Sequence, residues 1–391
     1  MIKLIEDTQT LEQFCRSLQD QEFMTVDFEF MREKTYYAKL CLIQVGSEKD
    51  CAVIDPLAKG IELDCFYQLL FNPQITKVFH SGRQDLEIVY NLTGKLPTPL
   101  FDTQIAAQVF GFGESVGYEN LVKSILKISL DKTSRLSDWS KRPLNDTQLQ
   151  YALSDVTHLV RLYRYFSSRL KENHRDLWIS EEMETLKDPA LYHVDPADAW
   201  QKIRHRSHNA HMLTLLRELA AWREKKAMDH NIPRQMIIKD DCLIAVASIN
   251  PGNKEELKGI RNMRSDVASG RLGDEILNVL EACRHIPTEQ YVTPPEFKET
   301  AGGCSAMFDL LRLLLRLVSN QNQIIPRLIA SEEDLKNFSA FADDDLPLLK
   351  GWRRELFGNL ALELREGNLS IRFNPQVRNI ELVHKKSGRP S

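Results

Sequence analysis

Apolar and polar positions follow two different periods along this chain. Through about residue 175, short apolar runs alternate with segments whose apolar residues recur every three or four positions. The runs predict strands at Ile2–Ile5, 22–30, Ala38–Val45, Cys51–Ile54 and Ile75–Phe79. The longer period predicts helices at Thr8–Leu18, Ile61–Leu70, Arg83–Tyr90, Thr103–Phe110, Tyr118–Leu126 and Asp146–Leu170. Early strands followed by many helices imply a mixed sheet with helices packed on it. Residues 186–207 mix prolines with polar residues and read as a linker. Beyond them the pattern is almost wholly helical, in two groups. Helices are expected at Ala210–His230, Asp240–Ala247, Lys254–Ile260 and Ala268–Ala282, then from Cys304 to about Leu369. A second proline- and glycine-bearing linker, 285–303, separates the groups, and Ser370–Phe373 is strand-like.

One strand breaks its own pattern. In Met24-Thr25-Val26-Asp27-Phe28-Glu29-Phe30, two carboxylates interrupt β-branched and aromatic residues. Side chains two apart share a face, so Asp27 and Glu29 are neighbours and Phe28 points the other way. Two like charges in a partly buried strand are costly unless a cation or a basic partner sits between them. Asp85 occupies the first turn of the helix that follows His80-Ser81-Gly82, where α/β proteins gather sites. Tyr151 and Asp155, four apart, share one helix face at ~6 Å along the axis. They flank the stripe Leu149, Ala152, Leu153, Val156, Leu159.

Composition narrows the classes. The 42% hydrophobic and 27% charged residues suit a globular chain with a sizeable core, and the net charge of −4 names no partner. Seven scattered cysteines without a CxxC pair argue against a disulfide framework and a structural zinc site. The most apolar run, Leu310 to Val318, contains Arg312 and Arg316, so no membrane span is expected. The N-terminus has acids where a signal peptide would be apolar, and a cytoplasmic location is expected.

The ordered acids, with a tyrosine four positions before the last, resemble the tyrosine branch of the DEDD exonuclease superfamily. VDFEF, TYYAKLCLIQVG, FHSGRQDLEIVY and LSDWSKRPLNDTQLQYALSDVTHLVRLY resemble the ribonuclease D family over essentially the whole chain. The resemblance implies an α/β ribonuclease H-like exonuclease domain over 1–185. Two all-α helical-bundle domains would follow, at 208–288 and 300–381, each similar to the helicase-and-ribonuclease-D C-terminal (HRDC) domain. It implies catalytic Asp27, Glu29, Asp85, Tyr151 and Asp155, the four acids holding two divalent metal ions. Asp27 would bridge both ions, Glu29 and Asp155 would hold the one that activates water, and Asp85 would serve the other. Tyr151 would orient the attacking water. Two ions ~3.5–4 Å apart suit phosphodiester hydrolysis. An all-oxygen set favours Mg²⁺ or Mn²⁺ over zinc.

An RNA 3′ end also needs stacking surfaces and backbone contacts. Phe30 and Tyr36 are candidates to stack on a base, with sheet packing as the alternative. Gln44 is a polar residue in a buried-looking strand and needs a partner. Trp139, Lys141 and Arg142 precede the last catalytic helix in a loop. Arg204, Arg206, Lys225 and Lys226 belong to a basic patch suited to phosphates. His80 reads as a structural histidine. The expected activity is metal-dependent 3′→5′ exoribonucleolytic trimming of tRNA precursors and other structured RNAs, releasing nucleoside 5′-monophosphates, by a monomer without an obligatory protein partner. The competing readings are a DNA exonuclease of the same superfamily, a catalytically weak RNA-binding adaptor and a small-molecule phosphohydrolase.

Overall fold

The computed structural model describes residues 3–131, 133–205, 207, 209–294, 304–340 and 345–385. Its central sheet is built from β1 (Leu4–Ile5), β2 (Phe23–Met31), β3 (Lys39–Gly46), β4 (Cys51–Ile54), β5 (Thr76–Phe79) and β6 (Leu100–Asp102). The strand order is β1-β4-β3-β2-β5-β6. β2 pairs antiparallel with β3 and parallel with β5, so the sheet is mixed. The period-two pattern placed β2 to β5 within a residue or two. β6 was not anticipated. It is only three residues long and lies between Pro99 and Asp102, which already caps the next helix.

Helices cover both faces. They are α1 (Thr8–Leu18), α2 (Asp64–Leu70), α3 (Arg83–Thr93), α4 (Thr103–Val109), α5 (Tyr118–Leu126), α6 (Asp146–Glu172) and α7 (Asp176–Leu186). One core joins Val26, Phe28, Ile43 and Val45 of the sheet to Leu11 and Phe14 of α1, Phe66 of α2 and Leu86 of α3. On the other face lies α6. Its first turn is closed by a capping box in which Asn145 and Gln148 satisfy each other's backbone N–H groups.

The stretch 186–207 is anchored at both ends. Asp188 and Asp195 cap short 3₁₀ turns, Tyr192 is buried in the sheet core, and Ala199 and Ile203 are buried in the next core. That next core belongs to α8 (Ala210–His230), α9 (Arg234–Ile237), α10 (Asp240–Ile249), α11 (Lys254–Lys258), α12 (Ser265–Ser269) and α13 (Arg271–Cys283). The boundary expected at Gly270–Gly273 falls at Gly270, whose extended backbone (ψ −169°) separates α12 from α13, and a Cβ there would meet Asp266 O at 2.6 Å. A further core gathers α14 (Cys304–Asn322), α15 (Pro326–Ile329), α16 (Glu332–Ser339) and a last helical stretch over 351–365. The strand-like Ser370–Phe373 is half of a hairpin, β7 (Leu369–Asn374) with β8 (Asn379–His384). Both helical units open alike. A long helix ends at a left-handed residue, Asn231 or Gln323, and a proline introduces a four-residue helix.

Each unit rests on the sheet domain at a different place. Tyr36 N–H and Tyr37 N–H donate to Asn231 Oδ1 at 3.1 and 3.0 Å. Arg175 bridges the carbonyls of Val109 and Asn322 at 2.7 and 2.6 Å, and Trp178 stacks on Trp352. Among the described residues no helix is long and apolar enough to cross a membrane.

Candidate active site

Asp27 and Glu29 leave the face of β2 that lies under α6. Close approach there is enforced by small groups. Thr25 Oγ1 donates to Val156 O at 3.0 Å, and a Cβ on Gly46 would sit 2.6 Å from Thr25 Oγ1. The contact fixes α6 against β2, and Asp155, the residue before Val156, comes down beside the two strand acids. One carboxylate oxygen each from Asp27, Glu29 and Asp155 lies within 4.8 Å of the others.

Asp85 lines the same cleft from α3, buried in that helix's first turn. The turn before it is held by Asp102, an acid that no motif in the sequence marks. The Asp102 carboxylate accepts from Ser81 N–H at 3.0 Å, Gly82 N–H at 2.8 Å and Gln104 N–H at 2.7 Å. A buried acid thus ties the start of α3 to the start of α4. Ser81 takes a positive φ of 58° in this turn. His80 next to it donates from Nε2 to Val116 O at 3.1 Å, and burial lowers its pKa, so it stays neutral.

The cleft measures about 530 Å³ and is lined by all four acids, Tyr151, Phe30, Tyr118 and Arg135. Crowding controls its protonation. Burial first, then the neighbouring carboxylates, pushes Glu29 up to about 10 and Asp155 up to about 9. Burial raises Asp27 to about 7, and Asp85 is pushed well up by burial with Asp27 and Asp102. Tyr151 is driven upward by burial and by Asp155, Glu29 and Asp27, which keeps its hydroxyl a donor at neutral pH. Three converging carboxylates that cannot all ionise alone are the donor set a hard divalent cation takes. Tyr118, also unforeseen, donates to Ser154 O at 2.9 Å and braces the α6 turn before Asp155. Only its position at the start of a helix after Gly117 could have signalled it.

The residues expected to touch RNA separate in space. Phe30 lines the cleft beside the acids. Tyr36 does not: its hydroxyl donates to the buried Glu224 of α8 at 2.5 Å, so its ring joins the sheet domain to the first helical unit. Gln44 sits directly across the ladder from Asp27 and is fully buried, beyond reach of a substrate. Its amide finds no hydrogen-bond partner among the described residues. Trp139 is also buried, its ring 6.0 Å from the Tyr151 ring, where it packs against that tyrosine instead of a base. Arg142 is consumed internally. It grips Asp55 at 2.5 and 2.6 Å and donates to the carbonyls of Cys41, Trp139 and Lys141. Lys141, Arg204 and Lys225 are exposed, whereas Lys226 pairs with Glu275 at 2.9 Å. Arg206 lies outside the described residues.

Comparison with known proteins agrees with this geometry. Residues 2–171 match a family described as 3′-5′ exonuclease, and residues 212–280 match the HRDC domain. The ribonuclease D of Granulibacter bethesdensis is 42% identical over 369 residues, 94% of this chain and 93% of its own. That of Acidiphilium cryptum is 42% identical over 380 residues, 97% of this chain and 96% of its own. The crystal structure of Escherichia coli RNase D, an exoribonuclease involved in structured RNA processing, matches with a TM-score of 0.80 at 28% identity. It covers 94% of this chain and 99% of that one. Acids from β2, α3 and α6 meet in one cleft and the kinship runs nearly end to end, so the chain belongs to the ribonuclease D family of 3′→5′ exoribonucleases.

Proposed function

We propose that this exoribonuclease requires divalent metal ions, Mg²⁺ or Mn²⁺, and trims the 3′ ends of tRNA precursors and other structured RNAs, releasing nucleoside 5′-monophosphates. The observation that carries the metal requirement is the trio Asp27, Glu29 and Asp155, whose oxygens lie within 4.8 Å of one another. Asp27, Glu29, Asp85 and Asp155 would hold the ions. When bound, the ions would lower the pKa of water and offset charge on the phosphoryl and leaving oxygens. The chain's own groups do the rest. The Tyr151 hydroxyl, protonated at working pH, donates a hydrogen bond that orients the attacking water in line with phosphorus. As the new O–P bond forms, the bond to the O3′ of the preceding nucleotide breaks. The water releases a proton and O3′ takes one up. Phe30, at the mouth of the acids, offers a ring for the terminal base. Exposed Arg204, just before the first helical unit, and Lys225 within it suit the RNA backbone. Residues 1–185, 208–288 and 300–381 are read as an exonuclease domain and two similar helical domains in a monomer.

The test is digestion of tRNA carrying extra 3′ nucleotides, with product lengths resolved and matched DNA alongside. Stepwise Mg²⁺-dependent shortening that stops near the mature end, absent in Asp27→Ala, is expected. Equal trimming by Asp27→Ala refutes the site, and faster digestion of DNA refutes the substrate.

A further inference from the structure

The cleft has a charge imbalance that its acids do not resolve. Six carboxylates line it, and Arg135 is the one arginine or lysine among the described lining residues. His80, the other basic group there, is held neutral by burial. Arg135 stands in the loop between α5 and α6 next to the buried Ser134, with its own side chain exposed at the cleft. Its positive charge reaches Glu29 on the strand and Tyr151 on the helix, favouring the ionised form of each. The guanidinium lines the same cleft as the acids of β2 and the tyrosine of α6.

Four ionised acids and two divalent ions cancel in charge. An RNA phosphodiester then brings a further negative charge, which grows and spreads over the phosphoryl oxygens during displacement. Guanidinium suits that task. It is planar, permanently charged and able to donate two parallel hydrogen bonds to phosphate oxygens.

We propose that Arg135 binds the phosphate of the 3′-terminal RNA nucleotide in this cleft and carries the positive charge that displacement at phosphorus requires. This assignment rests on the metal-dependent reading above. The bonds made and broken are those already described, and Arg135 neither gains nor loses a proton.

The experiment compares Arg135→Gln and Arg135→Lys with the wild type and with Arg16→Gln, which removes an exposed cation of α1 away from the cleft. Steady-state trimming is measured, together with the salt dependence of RNA affinity in the non-cleaving Asp27→Asn background. Arg135→Gln is expected to lower kcat/KM by about 100-fold, the scale of losing one donor to a developing oxyanion. Arg135→Lys recovers part of it. The slope of log affinity against log salt flattens by about 0.7, as for one lost single-strand phosphate contact. The Mg²⁺-linked rise in melting temperature persists in Arg135→Gln, and Arg16→Gln behaves as wild type. A kcat/KM for Arg135→Gln within about threefold of wild type, with an unaltered salt slope, overturns the assignment alone. Absence of the Mg²⁺-linked rise in the wild type overturns the metal reading and the assignment with it.

Discussion

Replacing Asp27 by asparagine removes one charge from the centre of the carboxylate trio and nearly nothing from its volume. The trio's oxygens lie within 4.8 Å. At an effective dielectric constant near ~20, each ionised pair at that separation repels by about 3.5 kcal/mol. The metal-free protein escapes by holding protons: Glu29 near 10 and Asp155 near 9 stay protonated at pH 8, while Asp27, near 7, is mostly ionised. Loading the site at pH 8 must strip those two protons, at a cost of roughly 4 kcal/mol counting 1.36 kcal/mol per pKa unit. Each unit of pH removes about 2.7 kcal/mol of that cost. Metal binding should therefore release at least two protons, Asp85 adding a further one where it joins the site, and tighten steeply between pH 7 and 9. A wild-type protein at 100 times its dissociation constant gains about 2.7 kcal/mol. For a domain of this size that is a melting-temperature rise of roughly 5–10 °C. If asparagine weakens the site 100-fold, the gain falls to about 0.4 kcal/mol, or roughly 1 °C. Thermal melts of both proteins with and without Mg²⁺ at pH 8, and titration calorimetry in buffers of different ionisation enthalpy, read these quantities. Equal metal-linked shifts in the two proteins, or a wild-type binding event that releases no protons, refute the argument.

In chelator-treated protein, the raised values of Glu29 and Asp155 mean the folded state binds protons that the unfolded state has already lost. Stability then falls as pH climbs from about 5 toward 9, and melting temperatures across that range should show the fall, reversed by Mg²⁺. Tyr151→Phe deletes a donor to water and no carboxylate; kcat should drop by about 10²-fold, the low end for a positioned catalytic group, with the Mg²⁺-linked melting shift retained. A wild-type rate would show that the hydroxyl has no part. Tyr36→Phe removes the hydroxyl that donates to the buried Glu224, leaving that acid with Arg234 at 3.3 Å. The cost should be about 1–3 kcal/mol, read as a lowered melting temperature and faster proteolysis between the sheet domain and α8. Unchanged protection would show that the contact does not hold the two together.

Much of this molecule is written in local pattern. The alternation around Asp27 and Glu29 put both acids on one strand face because side chains of a strand alternate whatever the fold. The helical period set α1, α5 and α8 to their observed limits for the same reason. Four acids and a tyrosine in order were enough to indicate hydrolysis. Partners were not legible, because who satisfies a buried polar group depends on chain segments far apart. By residue type and loop position Arg142 suits an RNA contact, yet its acid, Asp55, stands 87 positions earlier. By residue type Tyr36 suits a stacking ring, yet its acceptor stands 188 positions later. Gln44 and Trp139 lie in the layer beneath α6, a depth that only the packing of α6 on the sheet creates. Residue types and spacing thus determined which groups are candidates for the chemistry. Only the close approach of α6 at Thr25 and Gly46, and the Asp102 tie at the start of α3, brought four acids distant in sequence into one cleft. Convergence of that kind is a sum of long-range contacts, and no local period encodes it.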